Sequence, residues 1–359
     1  MRTTWNFFTS GQLHFGTGGV RQLGALTVRL NADRVFIVTD PALIDAGLLD
    51  RVKHPLEEAG LWTETFEGGE PEPSIDAANR AVEAARAFGP DCVLGLGGGS
   101  NMDLAKFVAA AVSHGGMASD YFGWDVVPGP VCPLVCVPTT AGTGSEVSHA
   151  AVLTDTANEM KVSCLSNYLR PALAVVDPEL TLTCPPTATA DSGIDALTHA
   201  IEASTAIDYQ DLDVPSGETW PYDGRTPLGD TLAETAISLI SQHLRTVVHA
   251  GDNLTAREGM ALAATLAGMS FSNCGVALVH ALEYPLGGTL HCSHGAGNGL
   301  LLPYVMRYNL PQRQTEIAKL APLLGVDVGE MDEGDAAEAA ISAVEQLRRD
   351  IGIPERISD

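Results

Sequence analysis

Four residues in the second half of the chain have the types and spacing of a metal-ligand set. Asp195 and His199 lie in "DSGIDALTHAIEA", and His280 and His294 lie in "ALVHALEYPLGGTLHCSHGAGNG". The first pair is four residues apart, so on a helix the carboxylate and imidazole share one face, about one turn apart. One carboxylate with three imidazoles suits a divalent transition metal such as Fe2+ or Zn2+. If the four converge, the chain is a metalloenzyme. Taken alone, Asp195 and His199 could equally be a hydrogen-bonded helix pair. His294 stands at a predicted helix start, where apolar packing does not demand an imidazole. His291 is a rival ligand, but its Gly-bounded turn argues for a solvent-facing ring. His14, His54, His114, His243 and His249 carry no such signal.

A second group has the makings of a phosphate site. "GLGGGSNMDLAK" (95–106) follows a strand pattern and opens a helix. Glycines let the backbone approach a ligand closely, and a helix N-terminus offers N–H groups and a positive dipole end. Ser100 and Asp103 also form an S-x-x-D capping pattern, so a merely capped turn is the alternative. Three consecutive glycines, Gly97, Gly98 and Gly99, exceed what capping needs. The spacing is not the G-x-G-x-x-G fingerprint. "VPTTAGTGSEVS" (137–148) is a second strand-to-loop run, rich in hydroxyls, that suits either a nicotinamide, ribose or phosphate contact or a plain polar loop. Asp40 closes the first strand of the predicted sheet. There a carboxylate accepts hydrogen bonds from a ribose diol and disfavours a 2′-phosphate, and it also suits the N-cap of a helix starting at Pro41.

The elements that must position these residues fall into two kinds. "RVFIVTD", "DCVLGLGGGS", "VCPLVCVPTT" and "PALAVVDPE" read as buried strands. They alternate with helical patterns in "ALIDAGLLDRVKHPLEEAG", "DAANRAVEAARAFG" and "MDLAKFVAAAVSHGG". Such alternation predicts a parallel sheet covered by helices, with its binding crevice at the strand carboxyl ends. After about residue 185 the strand signals cease and Ala-rich helical patterns take over. The expected architecture is α/β plus all-α: a Rossmann-like parallel-sheet domain over 1–184, then an all-helical metal-binding domain over 185–359. The polar, Pro- and Gly-rich stretch 206–227 reads as a long loop.

A chain of 359 residues has ample length for two cores, and 45 acidic against 20 basic residues give a net charge of −25. That surface repels nucleic acid and anionic membranes. Both high-salt adaptation and a genome that favours Arg and Ala over Lys account for such a composition. The seven cysteines form no CxxC pair and lie mostly in apolar runs, as expected of thiols in a reducing cytoplasm. No signal-peptide pattern and no uninterrupted apolar run of membrane-spanning length is visible.

With these residues in hand, the chain resembles the iron-containing (group III) alcohol dehydrogenase family, within the dehydroquinate synthase-like fold. The matching runs are "GGGSNMDLAK", "PTTAGTGSEVS", "KVSCLSNYLRPALAVVDPEL", "GIDALTHAIEA" and "HALEYPLGG…HGAGNGLLLPYV", in the family's order across most of the chain. The resemblance implies a cofactor and a metal in a cleft between the domains. It makes Asp195, His199, His280 and His294 the metal ligands, and Gly97, Gly98, Gly99 and Ser100, with Asp103 nearby, the pyrophosphate cradle. Thr139, Thr140, Thr143, Ser145, Lys161 and Leu180 would line the nicotinamide and ribose path, and Asp40 would favour NAD over NADP. It further implies a small alcohol or carbonyl substrate and a homodimer or higher homo-oligomer.

The chain departs from the family pattern at Tyr284, where many members have histidine. A phenol donates a hydrogen bond but does not replace imidazole as a base near neutral pH. Tyr284, His291 and His149 are the available proton-path residues. Glu72 stands where asparagine is common. The 206–227 insertion and the "YP" dipeptide occur in the hydroxyacid–oxoacid transhydrogenase branch, which is the alternative function. A dehydroquinate synthase-like lyase is the more distant one, since those enzymes use a Glu-containing ligand set.

Overall fold

Residues 2–215, 218–290 and 292–358 are described by the computed structural model. The chain divides into two compact units. One comprises Phe8–Thr140 and Ser145–Thr183; the other comprises Met1–Phe7, Ala141–Gly144 and Cys184–Asp359.

In the first unit the apolar runs become strands of a six-stranded, wholly parallel sheet. The strands are β1 (Gln12–Phe15), β2 (Arg34–Val38), β3 (Trp62–Phe66), β4 (Cys92–Gly97), β6 (Leu134–Pro138) and β9 (Leu173–Val176), in the order β1-β9-β6-β4-β2-β3. The central strands β4 and β6 are buried at every residue, as expected where helices cover both faces. Successive side chains of β2 feed opposite cores. Phe36 and Val38 pack with α4 (Ile75–Phe88) and α5 (Gly99–His114), while Val35 and Ile37 pack with α1 (Leu23–Val28) and α3 (Leu48–Glu58). Register then does the positioning. Val38 pairs with Gly95, and Gly97 pairs with Pro138. The residues that follow β2, β4 and β6 therefore emerge at one carboxyl edge: Asp40, the glycine run and Thr139.

Two local expectations are corrected. The helical pattern after Pro41 is not continuous: α2 (Pro41–Asp45) and α3 are separated at Gly47, whose φ of 72° ends one helix and starts the next. An antiparallel hairpin of β7 (Ala150–Asp155) and β8 (Met160–Leu165), with β5 (Gly123–Trp124) alongside β8, forms a second sheet that the strand signals had not revealed.

The second unit is helical, as expected: α6 (Pro186–Thr205), α7 (Pro227–His249), α8 (Leu254–Cys274), α9 (Leu278–Leu290), α10 (His294–Leu323) and α11 (Glu333–Asp350). Its core joins aliphatic residues such as Leu197, Ile237, Ile240, Leu302 and Ile341. The 206–227 stretch ends at Pro227, the first residue of α7, and its described residues before that form a loop apart from one bridge, Asp208 to Arg225. Arg225 holds it down through Asp208, Asp230 and Glu316. Among the described residues no single helix is long and apolar enough to cross a membrane. None of the seven cysteines forms a disulfide, and Cys92, Cys136, Cys164 and Cys274 are buried.

Candidate functional site

Helix α6 is Ala-rich and buried along almost its whole second half, from Gly193 to Ser204. That burial carries Asp195, His199 and Glu202 inside the helical unit on successive turns. The start of α10 is brought onto α6 by small residues. A Cβ on Gly295 would stand 2.0 Å from the carbonyl oxygen of Asp191, and one on Gly299 would stand 2.7 Å from Ile194 Cγ1. Only glycine permits that approach. Ser293 caps α10 by accepting from the Ala296 N–H, and its hydroxyl donates to Asp191 at 2.6 Å. The result is that His294, at the first position of α10, and Asn298, one turn later, reach Asp195.

Asp195, His280 and His294 form a cage: one ligand atom from each lies within 4.8 Å of the others. Asp195 Oδ1 is 3.8 Å from both His280 Nε2 and His294 Nε2. The orientation of the two rings is set from behind. His280 Nδ1 is 2.5 Å from Glu202 Oε2, and His294 Nδ1 is 2.5 Å from Glu283 Oε2. A carboxylate only accepts, so each ring donates through Nδ1 and turns the lone pair of Nε2 inward. Glu202 is itself fixed by the Val279 N–H at 2.7 Å. Burial works to raise the Glu202 pKa, but the His280 bond and nearby N–H groups prevail and hold it below the ordinary carboxylate range. Asp195 behaves alike: burial opposes its charge, but the surrounding imidazoles and the Asn298 amide keep it ionised. Asn298 Nδ2 donates to Asp195 Oδ1 at 2.8 Å and lies 3.2 Å from both inward Nε2 atoms.

His199 stands beside this cage rather than apart from it. Its Nε2 is 3.1 Å from His280 Nε2, and two nitrogen ligands of one tetrahedral ion stand roughly 3.3 Å apart. The ring stacks on Phe271 at 4.1 Å and on His280 at 4.7 Å between centroids. Burial pushes its pKa down to about 4, which keeps the imidazole neutral and able to offer a lone pair. Its buried Nδ1 has no hydrogen-bond partner. The donor set, one oxygen with inward nitrogens, fits a divalent transition metal.

In the α/β unit the glycine run ends β4 and opens α5. Gly97 has φ 144°, and a Cβ there would lie 2.3 Å from Asn101 Nδ2, so the fold itself requires glycine. Gly98 is different. A Cβ there would meet the Thr140 hydroxyl at 3.4 Å, an ordinary contact, so the missing side chain leaves room for a ligand. Gly98 is the N-cap of α5 and supplies no side-chain cap to its N–H groups, which suits an anion. The alternative for that run, a Ser100–Asp103 capping box, is therefore not formed. Ser100 lies inside the helix, and Asp103 instead accepts from Ser145 Oγ at 2.7 Å and the Val152 N–H at 2.9 Å. Asp40 does cap α2, accepting from the Leu43 N–H at 3.1 Å, and its second oxygen accepts from Asn101 Nδ2 at 2.7 Å.

Models of two protein families match this chain. The iron-containing alcohol dehydrogenase model covers residues 10–178, and the C-terminal model of the Fe-containing alcohol dehydrogenase family covers 218–359. The chain belongs to the iron-containing alcohol dehydrogenase family. It is 36% identical to an NAD-dependent methanol dehydrogenase of Bacillus methanolicus over 97% of this chain and 87% of that protein. It is 37% identical to a 1,3-propanediol dehydrogenase of Klebsiella pneumoniae, over 96% and 86% respectively. A crystal structure of 1,3-propanediol oxidoreductase superposes with a TM-score of 0.92 at 36% identity, covering 99% of this chain and 89% of that one. Members of this family are alcohol and aldehyde oxidoreductases.

Within that family frame the remaining expected residues take varied places. Thr139 continues the β4–β6 ladder through its N–H to the Gly97 carbonyl at 3.0 Å, and Thr140 faces Gly98. Thr143 lies in the segment Ala141–Gly144, which belongs with the helical unit. Its neighbours Gly142 and Gly144 are dictated by packing, since Cβ atoms there would lie 2.6 Å from Ser192 Cβ and 2.4 Å from Gly268 Cα. Lys161 pairs with Glu72 at 3.0 Å. Glu72 has φ 49°, a conformation asparagine adopts more readily. Leu180 is fully buried in the core beneath the sheet. Ser145 spends its hydroxyl internally rather than presenting it outward. His149 is fully buried, with Arg170 Nη2 3.4 Å from Nδ1, which does not suit a path to solvent. The Tyr284 ring lies 6.1 Å from that of His294. His291 lies outside the described residues.

Sequence reasoning missed Glu202, Glu283 and Asn298. Only Asn298 had a readable signal in its spacing, four residues after His294 on one helix. Glu202 and Glu283 meet the imidazoles of His280 and His294, which lie on later stretches of the chain.

Proposed function

We propose that the chain is a metal-dependent, nicotinamide-linked oxidoreductase that interconverts a small primary or secondary alcohol with its aldehyde or ketone. The observation that carries this reading is the largely buried cage of Asp195, His280 and His294, with Glu202 and Glu283 turning both Nε2 atoms inward. Asp195, His199, His280 and His294 would hold one divalent ion, Fe2+ or Zn2+. In such a cage the ion supplies Lewis acidity toward a substrate oxygen. The nicotinamide supplies a hydride donor or acceptor.

This chain's own residues do the rest. The backbone N–H groups of Gly99 and Ser100, at the start of α5, would receive the pyrophosphate, with Gly98 keeping the approach open. Asp40 retains lone pairs for the ribose diol and disfavours a 2′-phosphate, which supports NAD over NADP. Thr139, Thr140, Thr143 and Lys161 would line the nicotinamide and ribose. Glu202 and Glu283 hold the two imidazoles in the tautomer that keeps Nε2 unprotonated. Tyr284, beside His294, would hold or pass a proton as a hydrogen-bond donor.

The test is metal analysis of purified protein together with absorbance at 340 nm over a panel of alcohols and aldehydes, with and without added NAD(H). One metal per chain is expected, with turnover that requires added NAD(H), stops on chelation and returns with Fe2+ or Zn2+. Undiminished turnover by metal-stripped protein sinks the proposal. Turnover of a hydroxyacid with an oxoacid, without added NAD, would instead favour the transhydrogenase reading.

A further inference from the structure

Helix α5 carries a buried and a partly buried charge that the cage and cradle do not use directly. Lys106 is wholly buried, and Asp103, three residues earlier, shares its face. The Lys106 ammonium donates to Ser145 Oγ at 2.7 Å, Ser148 Oγ at 3.2 Å and the Ala150 carbonyl at 2.7 Å. The Ser145 hydroxyl in turn donates to Asp103 Oδ1 at 2.7 Å, and Asp103 Oδ2 accepts from the Val152 N–H at 2.9 Å. The ammonium and carboxylate are 3.9 Å apart, with the serine hydroxyl bridging them. Five bonds thus tie one helical turn to residues 145, 148, 150 and 152.

The chain on either side of the segment Ala141–Gly144 is anchored differently. Upstream, Thr139 is held by the sheet through Gly97. Downstream, Ser145 and Ser148 precede β7 and are held by α5. The same helix opens with the glycine cradle, about two turns before Lys106. Burial opposes both charges, raising the Asp103 pKa and lowering that of Lys106, while each partner's charge resists the change. Apolar side chains of similar volume would fill this space without that desolvation cost. The bonding pattern supplies something they would not: a fixed position for polar backbone and hydroxyl groups.

We propose that Asp103 and Lys106 are positioning residues that hold the stem 145–152 in register with the glycine cradle, so that the two motifs act as one nucleotide-binding surface. This rests on the nicotinamide-linked reading above. It reassigns Asp103 and Ser145 from ligand contact to support. Displacing the stem should disturb the nicotinamide side of the dinucleotide and spare the pyrophosphate side.

The experiment compares NADH and ADP binding, by fluorescence and calorimetry, in the full-length wild type, Lys106→Met, Asp103→Asn and the double variant. Each single change leaves one charge without its partner, wholly buried for Lys106 and partly buried for Asp103, and should lower Tm. The double variant removes both charges and should recover most of the Tm. NADH should bind about tenfold more weakly in all three, while ADP affinity stays within about twofold. If NADH affinity recovers with Tm in the double variant, or falls in parallel with ADP, the pair is merely structural and the inference is overturned. Unchanged NADH binding in all variants overturns it as well. A wild type that binds no NADH overturns the proposed function itself, and this inference with it.

Discussion

At the start of α10 and at the start of α5, glycines let two elements approach more closely than side chains would allow, yet the junctions present opposite chemistry. In the helical unit, Gly295 and Gly299 bring α10 onto α6, and the gain is side chains: His294 and Asn298 reach Asp195. In the α/β unit, a Cβ on Gly95 would come within 2.9 Å of Met102 Cα, so glycine lets α5 lie against β4, and the gain is backbone. The cage is a largely buried polar network that should fail when one member is deleted. The cradle is a stretch of open backbone at Gly98, and it should be harmed not by deletion but by filling.

The largest expected effect breaks the cage. His280→Ala removes an inward nitrogen and leaves Glu202 buried without its imidazole partner. Metal retention and turnover should both fall below detection, by plasma emission and by 340 nm rates, while NADH binding persists. Retained metal at one per chain would contradict the assignment. Glu202→Gln should be milder, costing about 10–100-fold in metal affinity measured by chelator competition, the usual scale for groups that orient a ligand. An unchanged affinity would mean that Glu202 does not set the His280 tautomer.

The reciprocal change fills the cradle. Gly98→Val should weaken NADH binding about tenfold or more while metal content stays at the wild-type level, because a branched side chain now occupies the backbone approach. Loss of metal in this variant would erase the distinction between the two regions.

The smallest effect concerns acid stability of the α/β unit. Burial, then the Arg170 and Lys106 charges, holds the His149 pKa well below 6.5. The unfolded chain binds a proton below about 6.5 and the folded one does not, so stability is lost as pH falls through that value, by about 1.4 kcal/mol per pH unit. His149→Gln should flatten the dependence of the urea midpoint between pH 6.5 and 5. An unchanged slope would place the acid sensitivity elsewhere.

The two regions also differed in how plainly the sequence showed them. Asp195, His199, His280 and His294 stand out because buried helices seldom carry such residues without reason. Glu202 and Glu283 did not, because a glutamate on a helix is ordinarily solvated, and only the tertiary fold reveals that these face imidazoles. The strands β2, β4, β6 and β9 were legible as apolar runs. The edge strand β3 was not: "WTETF" is half polar, and Trp62 is 69% exposed. The β7–β8 hairpin was hidden because its turn and strands mix charged and apolar residues. The Ser100–Asp103 pattern had the right letters for a cap, but the helix begins at Gly99 and gives Asp103 to the hairpin.

The burial of Lys106 has a consequence for amine chemistry. The chain has only four lysines. Lys319 is exposed, Lys53 is half-exposed, the Lys161 side chain is 6% accessible and Lys106 is closed off. A mild acylating reagent should therefore modify Lys319 and Lys53 first, and Lys106 only when its pocket opens. Followed by peptide mass spectrometry, the rate of Lys106 acylation becomes a clock for local opening of the 145–152 stem, and bound NADH should slow it.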